Sequence, residues 1–172
     1  TFIGEWAFSA CRGLTNVTIG NSVTSISYGV FYNCNSLTSV TIPNSVISIG
    51  HDAFYGTPWY DHQPDGLVYA GLVAYKYKGT MPKGTSITIR ERTLGIADGA
   101  FEDCRYLERV AIPNSITSIG NLAFSGCSAL SSVSIPNSVT SIGHGAFSNC
   151  SSLTSITIPD SVTSIGCQTF IA

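Results

Sequence analysis

The sequence predicts a β-rich solenoid, a fold in which short repeated coils stack around one elongated core. A stretch of 23 residues, Ile135–Thr157, recurs almost unchanged at Ile112–Ser134 and more loosely at Ile19–Thr41. One phenylalanine marks each copy, and these residues follow one another in steps of 23 except for a single step of 47: Phe8, Phe31, Phe54, Phe101, Phe124, Phe147 and Phe170. Units of this size cannot bury a hydrophobic face alone, so they are stable only when they stack.

Each coil is predicted to contain two short strands, two turns and one helical turn. β-Branched residues alternate at Ile156–Ile158, which indicates a strand with its apolar side chains inward. Pro159 begins a turn, because proline fixes φ and has no N–H to donate. Val162–Ile165 is the second strand, Gly166 turns the chain again, and the segment equivalent to Gly145–Cys150 has room for one helical turn. Successive coils should therefore form parallel sheets, with Ser and Thr facing outward.

The step of 47 residues contains an irregular insertion between about Pro58 and Thr85. Within it, Leu67–Tyr69 and Val73–Tyr77 have the composition of strands, and a small Ala-Gly pair between them suits a tight connection. We expect an irregular coil that leans out from the solenoid as a hairpin. No linker or low-complexity tract divides the chain, so we treat residues 1–172 as a single domain.

Composition argues against two classes of function. Charged residues make up 10% of the chain and the net charge is −2, whereas nucleic-acid binding requires a dense basic face. No apolar run approaches the roughly 20 residues of a membrane-spanning helix, so we expect no membrane insertion. The chain begins and ends inside a repeat. We therefore expect a piece of a longer array, whose uncapped terminal coils associate end to end.

The six cysteines are not spaced like a disulfide framework. Five of them stand three residues after a marker phenylalanine: Cys11, Cys34, Cys104, Cys127 and Cys150. A small residue at one place in every coil is expected to form a ladder of buried free thiols. At a sheet spacing of about 5 Å between adjacent coils, the geometry permits a Cys104–Cys127 disulfide. The cysteines therefore leave the redox compartment undefined.

With the unit written as IPNSVTSIGxxAFxxCxxLTSVT, the chain resembles the BspA-like leucine-rich repeat proteins of bacteria and some parasitic protists. The resemblance covers Thr1–Phe54 and Ser86–Ala172, and the segment PWYD…GLVYAG…AYKYKG is similar to an interruption in bacterial members. It implies a right-handed leucine-rich-repeat superhelix at the cell surface or outside the cell, and adhesion to host or neighbouring-cell proteins. It implies no catalysis, no cofactor and no particular binding residue.

The residues themselves also offer no catalytic or metal constellation, and we predict that the protein is not an enzyme. His51 and His144 follow the repeat glycine, at a variable and therefore solvent-facing position that we also assign to Glu5, Ser27, Asp98, Asn121 and Cys167. His144 and Cys167 lie in one column on adjacent coils, but zinc usually takes three or four protein ligands. A polar cluster in the insertion fits a loop better than a metal site; it consists of Asp61, His62 and Asp65.

Two surfaces are candidates for binding. Aromatic residues beside basic ones are typical of binding hot spots, and the insertion supplies Trp59, Tyr60, Tyr75, Lys76, Tyr77 and Lys78, followed by Arg90 and Arg92. These rings also suit stacking on sugars, or they fill the wider core of an irregular coil. The second surface is the outward strand face of the regular coils. Its residues are mostly Ser and Thr, and Glu108 and Arg109 are the only charged pair on it.

The sequence thus favours an adhesion module that contacts host or partner proteins or glycoproteins through the strand face and the insertion. A structural spacer that presents another domain is the alternative. An enzyme is a third hypothesis, with no set of residues behind it.

Overall fold

A computed structural model describes residues 1–171 as a β solenoid that carries one short helix. Its elements are β1 (Phe2–Ile3), β2 (Asn16–Thr18), β3 (Ser25–Ile26), β4 (Ser39–Thr41), β5 (Ser48–Ile49), α1 (Pro58–Asp61), β6 (Gly66–Ala70), β7 (Val73–Lys78), β8 (Thr85–Thr88), β9 (Gly95–Ile96), β10 (Leu107–Ala111), β11 (Ser118–Ile119), β12 (Ser132–Val133), β13 (Ser141–Ile142) and β14 (Ser164–Ile165).

Both strands of each regular coil pair in parallel with their counterparts in the next coil. The first strands form the sheets β2-β4 and β8-β10-β12, which the insertion separates. The second strands form β1-β3-β5 and the six-stranded sheet β14-β13-β11-β9-β7-β6. The register advances by one repeat, so that Ile26 pairs with Ile49 and Ile119 with Ile142. The predicted solenoid of coils with two parallel strands is confirmed.

The marker phenylalanines stack along the centre of the core. The rings form two runs, Phe8 to Phe54 and Phe101 to Phe170. Within each run consecutive rings are nearly parallel, and their centroids lie 5.1–5.7 Å apart. The backbone repeats the same register, because the marker N–H groups within each run of regular coils donate to the carbonyl that precedes the next marker, as Phe31 does to Ala53 at 2.8 Å. Ring packing and backbone pairing therefore fix the same alignment of coils.

The prediction of a helical turn around the marker phenylalanine is wrong. In Gly145–Cys150, the N–H groups of Gly145, Phe147 and Asn149 donate to carbonyls of the next coil at 2.7–3.0 Å. Only the N–H groups between them bond back within the coil. A helix directs every N–H along its own axis, so a segment that also pairs sideways forms a series of turns instead.

Two residues with positive φ shape each of these turns, two places before and two places after the marker. In most coils one of the two is glycine: Gly29 is followed by Asn33, with φ values of 59° and 55°. The side chain of the other residue lies over a glycine of the next coil, as Asn33 does over Gly56 and Leu122 over Gly145. Glycine satisfies both the left-handed backbone and the close approach at these places.

The insertion forms a hairpin in place of one coil, as predicted. Strands β6 and β7 are antiparallel, while β7 pairs in parallel with β9, where Val73 lies opposite Gly95. Tyr77 donates its N–H to the Ala100 carbonyl at 2.7 Å, which is the bond that marker phenylalanines make in regular coils. Strand β7 thus occupies a second-strand position, and β6 is the edge of the sheet.

Tyr75 completes the backbone pairing where the insertion interrupts it. The N–H of Phe54 donates to the Tyr75 hydroxyl at 3.0 Å instead of to a carbonyl of a following coil. Tyr75 is 4% exposed, and its ring meets Phe54 edge-on at 5.4 Å. Trp59 covers the same phenylalanine, with ring centroids 4.6 Å apart. Burial raises the pKa of Tyr75 far above its ordinary value, so the hydroxyl stays protonated.

The six cysteines are free thiols; of the five predicted to form a buried ladder, four are buried and Cys11 is exposed. Three of the buried thiols donate Sγ to the marker carbonyl of the preceding coil: Cys34 to Phe8 at 3.0 Å, and Cys127 to Phe101 and Cys150 to Phe124, both at 3.1 Å. Burial raises the pKa of Cys104 and of Cys150 to about 11. Cys11 and Cys167 are exposed. No disulfide joins Cys104 to Cys127 in the described structure.

Candidate functional site

The outward strand face is formed by alternate residues of the first strands, and every position predicted to face outward is exposed. These residues are Thr15, Asn16, Thr18, Thr38, Ser39, Thr41, Glu108, Arg109, Ala111, Ser131, Ser132, Ser134, Thr154, Ser155 and Thr157. The intervening valines, such as Val40 and Val133, face the core. Arg109 lies opposite Ser86 on β8 and Ser132 on β12, so its charge is bordered by serines on both sides.

Hydroxyl groups on this face bond along the stack. Thr38 Oγ1 donates to the Thr15 carbonyl at 3.3 Å, and Ser131 Oγ donates to the Glu108 carbonyl at 3.4 Å. Each of these bonds joins equivalent positions of two neighbouring coils and keeps the side chains aligned. The face is therefore a flat surface that is uncharged except at Glu108 and Arg109.

Arg90 ties the hairpin to the regular coils. Its guanidinium lies 4.1 Å from the ring centroid of Tyr69, and its N–H donates to the Tyr69 hydroxyl at 3.0 Å. A cation held over a ring at this distance is attracted by the negative face of the π system. Arg90 and Arg92 are both exposed beyond the end of β8, whose neighbour β10 carries Glu108 and Arg109. Because Arg109 pairs with Ser86, the two arginines lie four and six residues further along the chain direction than Arg109. We name these four residues the charged edge.

The lysines of the hairpin make internal contacts. Lys78 Nζ donates to the carbonyls of Asp61 and Gln63 at 2.5 and 2.6 Å, which places its charge at the carboxyl end of α1. Lys76 lies 3.8 Å from Glu102, whose carboxylate contacts His51 Nε2 at 2.7 Å. These lysines therefore support the hairpin and its contact with the following coil.

The structure thus divides the predicted insertion residues into two groups. Tyr75 is buried in the core and presents no binding surface, in agreement with the alternative that rings of the insertion fill the core of an irregular coil. The other predicted residues of the hairpin are half-buried: Trp59, Tyr60, Lys76, Tyr77 and Lys78. Residues Asp61, His62 and Asp65 lie exposed at the end of α1 and in the turn after it.

An exposed aromatic cluster on the turns was missed in the sequence. The ring of Trp6 meets Tyr28 at 4.7 Å and Tyr32 at 5.4 Å, and Tyr32 stacks on Tyr55 at 5.2 Å. Trp6, Tyr28 and Tyr55 are 44%, 38% and 52% exposed. The signal was present, because Tyr32 and Tyr55 are 23 residues apart. From the sequence we assigned Ser27 to the repeat position of His51. The residue at that position is Tyr28, which lies 23 residues before His51 and stacks on it.

Chemical sites are sparse in the described chain. Within residues 1–171, no group of three or more His, Cys, Asp or Glu side chains is arranged to hold a metal ion. No helix in the same range is long and apolar enough to cross a membrane. His144 and Cys167 are in contact, with Nδ1 and Sγ 2.9 Å apart.

Solved structures of bacterial leucine-rich repeat proteins are similar to this chain, and one of them shows the same fold. A leucine-rich repeat protein from Eubacterium ventriosum is 22% identical, with a TM-score of 0.50 and coverage of 96% of this chain and 63% of that one. A leucine-rich repeat protein from Bacteroides ovatus is 29% identical, with a TM-score of 0.47 and coverage of 96% and 43%. A leucine rich cell surface protein from Faecalibacterium prausnitzii is 32% identical, with a TM-score of 0.42 and coverage of 91% and 42%. The chain thus spans less than two thirds of each of these structures.

Curated proteins gave no match to this sequence. The family model of the BspA type leucine rich repeat region, with six copies of the repeat, matches residues 1–61 and 73–172. The unmatched residues between these ranges include β6, the outer strand of the hairpin. Because the match covers nearly the whole chain and follows its coils, this protein belongs to the BspA-type leucine-rich repeat family.

Proposed function

We propose that the chain is a non-catalytic binding module of a cell-surface or secreted protein, which contacts partner proteins or glycoproteins through its strand face and charged edge. Membership of the family supports the cell-surface location. The chemistry of the surface supports the partner class, because it combines a broad uncharged area with a few fixed charges.

The observation that carries the proposal is the placement of charge on the strand face. Regular coils present Ser and Thr in register, whereas the coil after the insertion presents Glu108 and Arg109 and adjoins Arg90 and Arg92. Arginine is enriched at binding hot spots, because its planar guanidinium offers several donors and an apolar face. The charged edge is therefore where this face departs from its repeat, and where a partner would be oriented.

The hairpin has a supporting role in this proposal. The ring of Tyr69 packs against the guanidinium of Arg90, and Lys78 donates to the carbonyl of Asp61 at the end of α1. Trp59 and Tyr75 pack on Phe54, so their substitution would damage the fold before it tested binding. A binding test should therefore change the exposed charges and leave these rings intact.

A binding screen against matrix glycoproteins, mucins and a glycan array tests the proposal. The informative variant is Glu108→Thr with Arg109→Ser, because other coils carry Thr38 and Ser132 at these places and the strand accepts them. We expect the affinity for any ligand found to fall at least tenfold, or about 1.4 kcal/mol. Arg105→Ala is the matched control, since this arginine is exposed on the turns. Unchanged affinity in the double variant would exclude Glu108 and Arg109 as binding residues and would contradict the proposed role of charge on the strand face.

A structural spacer is the second candidate function. It is favoured by the small, mostly uncharged side chains of the strand face, two of which bond along the stack instead of projecting freely. A wild-type chain that binds nothing in the screen would support the spacer and count against the binding module.

A further inference from the structure

Four side chains form a hydrogen-bonded column across the last regular coils. Each stands three residues before the marker phenylalanine of its own coil: Asp98, Asn121, His144 and Cys167. Asn121 donates its backbone N–H to Asp98 Oδ1 at 2.7 Å and its Nδ2 to Asp98 Oδ2 at 3.1 Å. His144 donates its backbone N–H to Asn121 Oδ1 at 2.8 Å. The backbone of His144 is thereby anchored, and its ring Nδ1 lies 2.9 Å from Cys167 Sγ.

This column faces solvent. Asp98 is half-buried, whereas Asn121 and His144 are exposed although each has a coil on either side. Cys167 is exposed as well, unlike the four buried thiols of the ladder. Cys11 is the other exposed thiol, and no histidine is hydrogen-bonded to it in the described structure. Cys167 therefore combines access for a reagent with a neighbouring imidazole.

The contact has the geometry of a nucleophile and its base. A thiolate is the reactive form of cysteine, and a free thiol is only a few per cent thiolate at neutral pH. A neutral imidazole whose Nδ1 faces the thiol can take its proton, which leaves a thiolate beside an imidazolium. The pair lies on an open surface, where a small electrophile has access from solvent. This suits reaction with a small reagent better than hydrolysis of a bound substrate.

We propose that Cys167 is a site of thiol–disulfide exchange with low-molecular-weight disulfides, activated by His144. The thiolate attacks one sulfur of the disulfide, so a bond forms between Sγ and that sulfur while the original S–S bond breaks. The released thiolate takes the proton held by His144. Cys167 is oxidised to a mixed disulfide, and half of the small disulfide is reduced to a thiol. The strand face takes no part, so this site is independent of the proposed binding function.

The reaction of the folded protein with 5,5′-dithiobis(2-nitrobenzoic acid), an aromatic disulfide, tests the proposal at pH 7. The wild-type protein should show a fast phase of one thiol that Cys167→Ser removes and Cys11→Ser retains. In His144→Asn the same thiol should react about tenfold more slowly. The histidine raises the thiolate fraction of Cys167 in the wild type, and the lower nucleophilicity of that thiolate offsets this gain only in part. Peptide mapping after brief labelling identifies the modified cysteine.

The rate of Cys11 separates activation of Cys167 from a general change of the fold. In His144→Asn the rate of Cys167 should fall towards that of Cys11, while the rate of Cys11 stays unchanged. Circular dichroism verifies that each variant folds, and His144→Gln replaces His144→Asn if that variant does not. An unchanged rate of Cys167 without the histidine would overturn the proposal, as would a Cys167 that reacts no faster than Cys11.

Discussion

Replacing Tyr75 with phenylalanine removes one oxygen atom from the core and leaves the N–H of Phe54 without its acceptor. The ring is retained, so the edge-on contact with Phe54 at 5.4 Å and the contact with Tyr60 at 5.7 Å are preserved. Tyr75 is 4% exposed and Phe54 is fully buried, so water cannot replace the lost bond. A buried donor left unpaired costs about 1–3 kcal/mol, and we expect the free energy of unfolding to fall by that amount.

Tyr69→Phe is the matched control for this substitution. Its hydroxyl also accepts a backbone N–H at 3.0 Å, from Arg90, but Arg90 is exposed and water can take the vacant place. We expect Tyr69→Phe to cost about 0.5 kcal/mol or less. The difference between the two variants therefore isolates the effect of burial on a bond of the same length.

Urea unfolding followed by circular dichroism measures both free energies, and hydrogen exchange at Phe54 locates the change. The Phe54 amide should exchange faster in Tyr75→Phe, while amides in distant coils should not. The reasoning would be refuted if Tyr75→Phe lost no more stability than Tyr69→Phe, or if exchange at Phe54 were unchanged.

Three further predictions concern the core and the contact between coils. Phe124→Ala should cost about 3–5 kcal/mol in unfolding free energy, because it opens a cavity in the middle of a fully buried stack. Gly143→Ala should be strongly destabilising, since a methyl group there would overlap the backbone of the preceding coil. Stability to urea should fall as the pH rises from about 9 to about 11, because unfolded thiols then ionise while Cys104 and Cys150 stay protonated in the fold.

Each of these has its own comparison. Phe8→Ala should cost less than Phe124→Ala, since Phe8 is partly exposed, and equal losses would contradict the cavity argument. Gly13→Ala should be nearly neutral, because open space surrounds that position. A urea midpoint that stays constant up to pH 11 would show that the thiols are not protected as the structure indicates.

Periodicity allowed most of the fold to be predicted. The spacing of phenylalanines gave the coils, and the alternation around Val40 and Val133 gave the faces of the strands. The hairpin also followed from local composition at Leu67–Tyr69 and Val73–Tyr77. These features depend on neighbours in sequence or on a constant repeat, so one chain contains the necessary signal.

The geometry of the turns did not follow from the sequence. Leu122 has a φ of 53°, which a leucine adopts rarely, and no local preference predicts it. The alternation in β7 correctly placed Tyr75 and Tyr77 on one side. The role of Tyr75 depends on Phe54, however, whose N–H lacks a partner only because a coil is interrupted there. Such contacts between distant residues are set by tertiary structure.

Glycine alternates between the two positions of positive φ from one coil to the next, and this limits how the protein can be lengthened or shortened. Glycine comes first in the coil of Phe31, second in that of Phe54 and, beyond the hairpin, first again in that of Phe101. Because Asn33, Asp103 and Leu122 each lie over a glycine of the next coil, deleting the one coil Ile112–Ser134 would set Asp103 against Asn149. Duplicating the two neighbouring coils of Phe101 and Phe124 together would keep a glycine opposite each of the larger side chains there. A lengthened variant should therefore gain coils in pairs, although the sequence repeats with every single one.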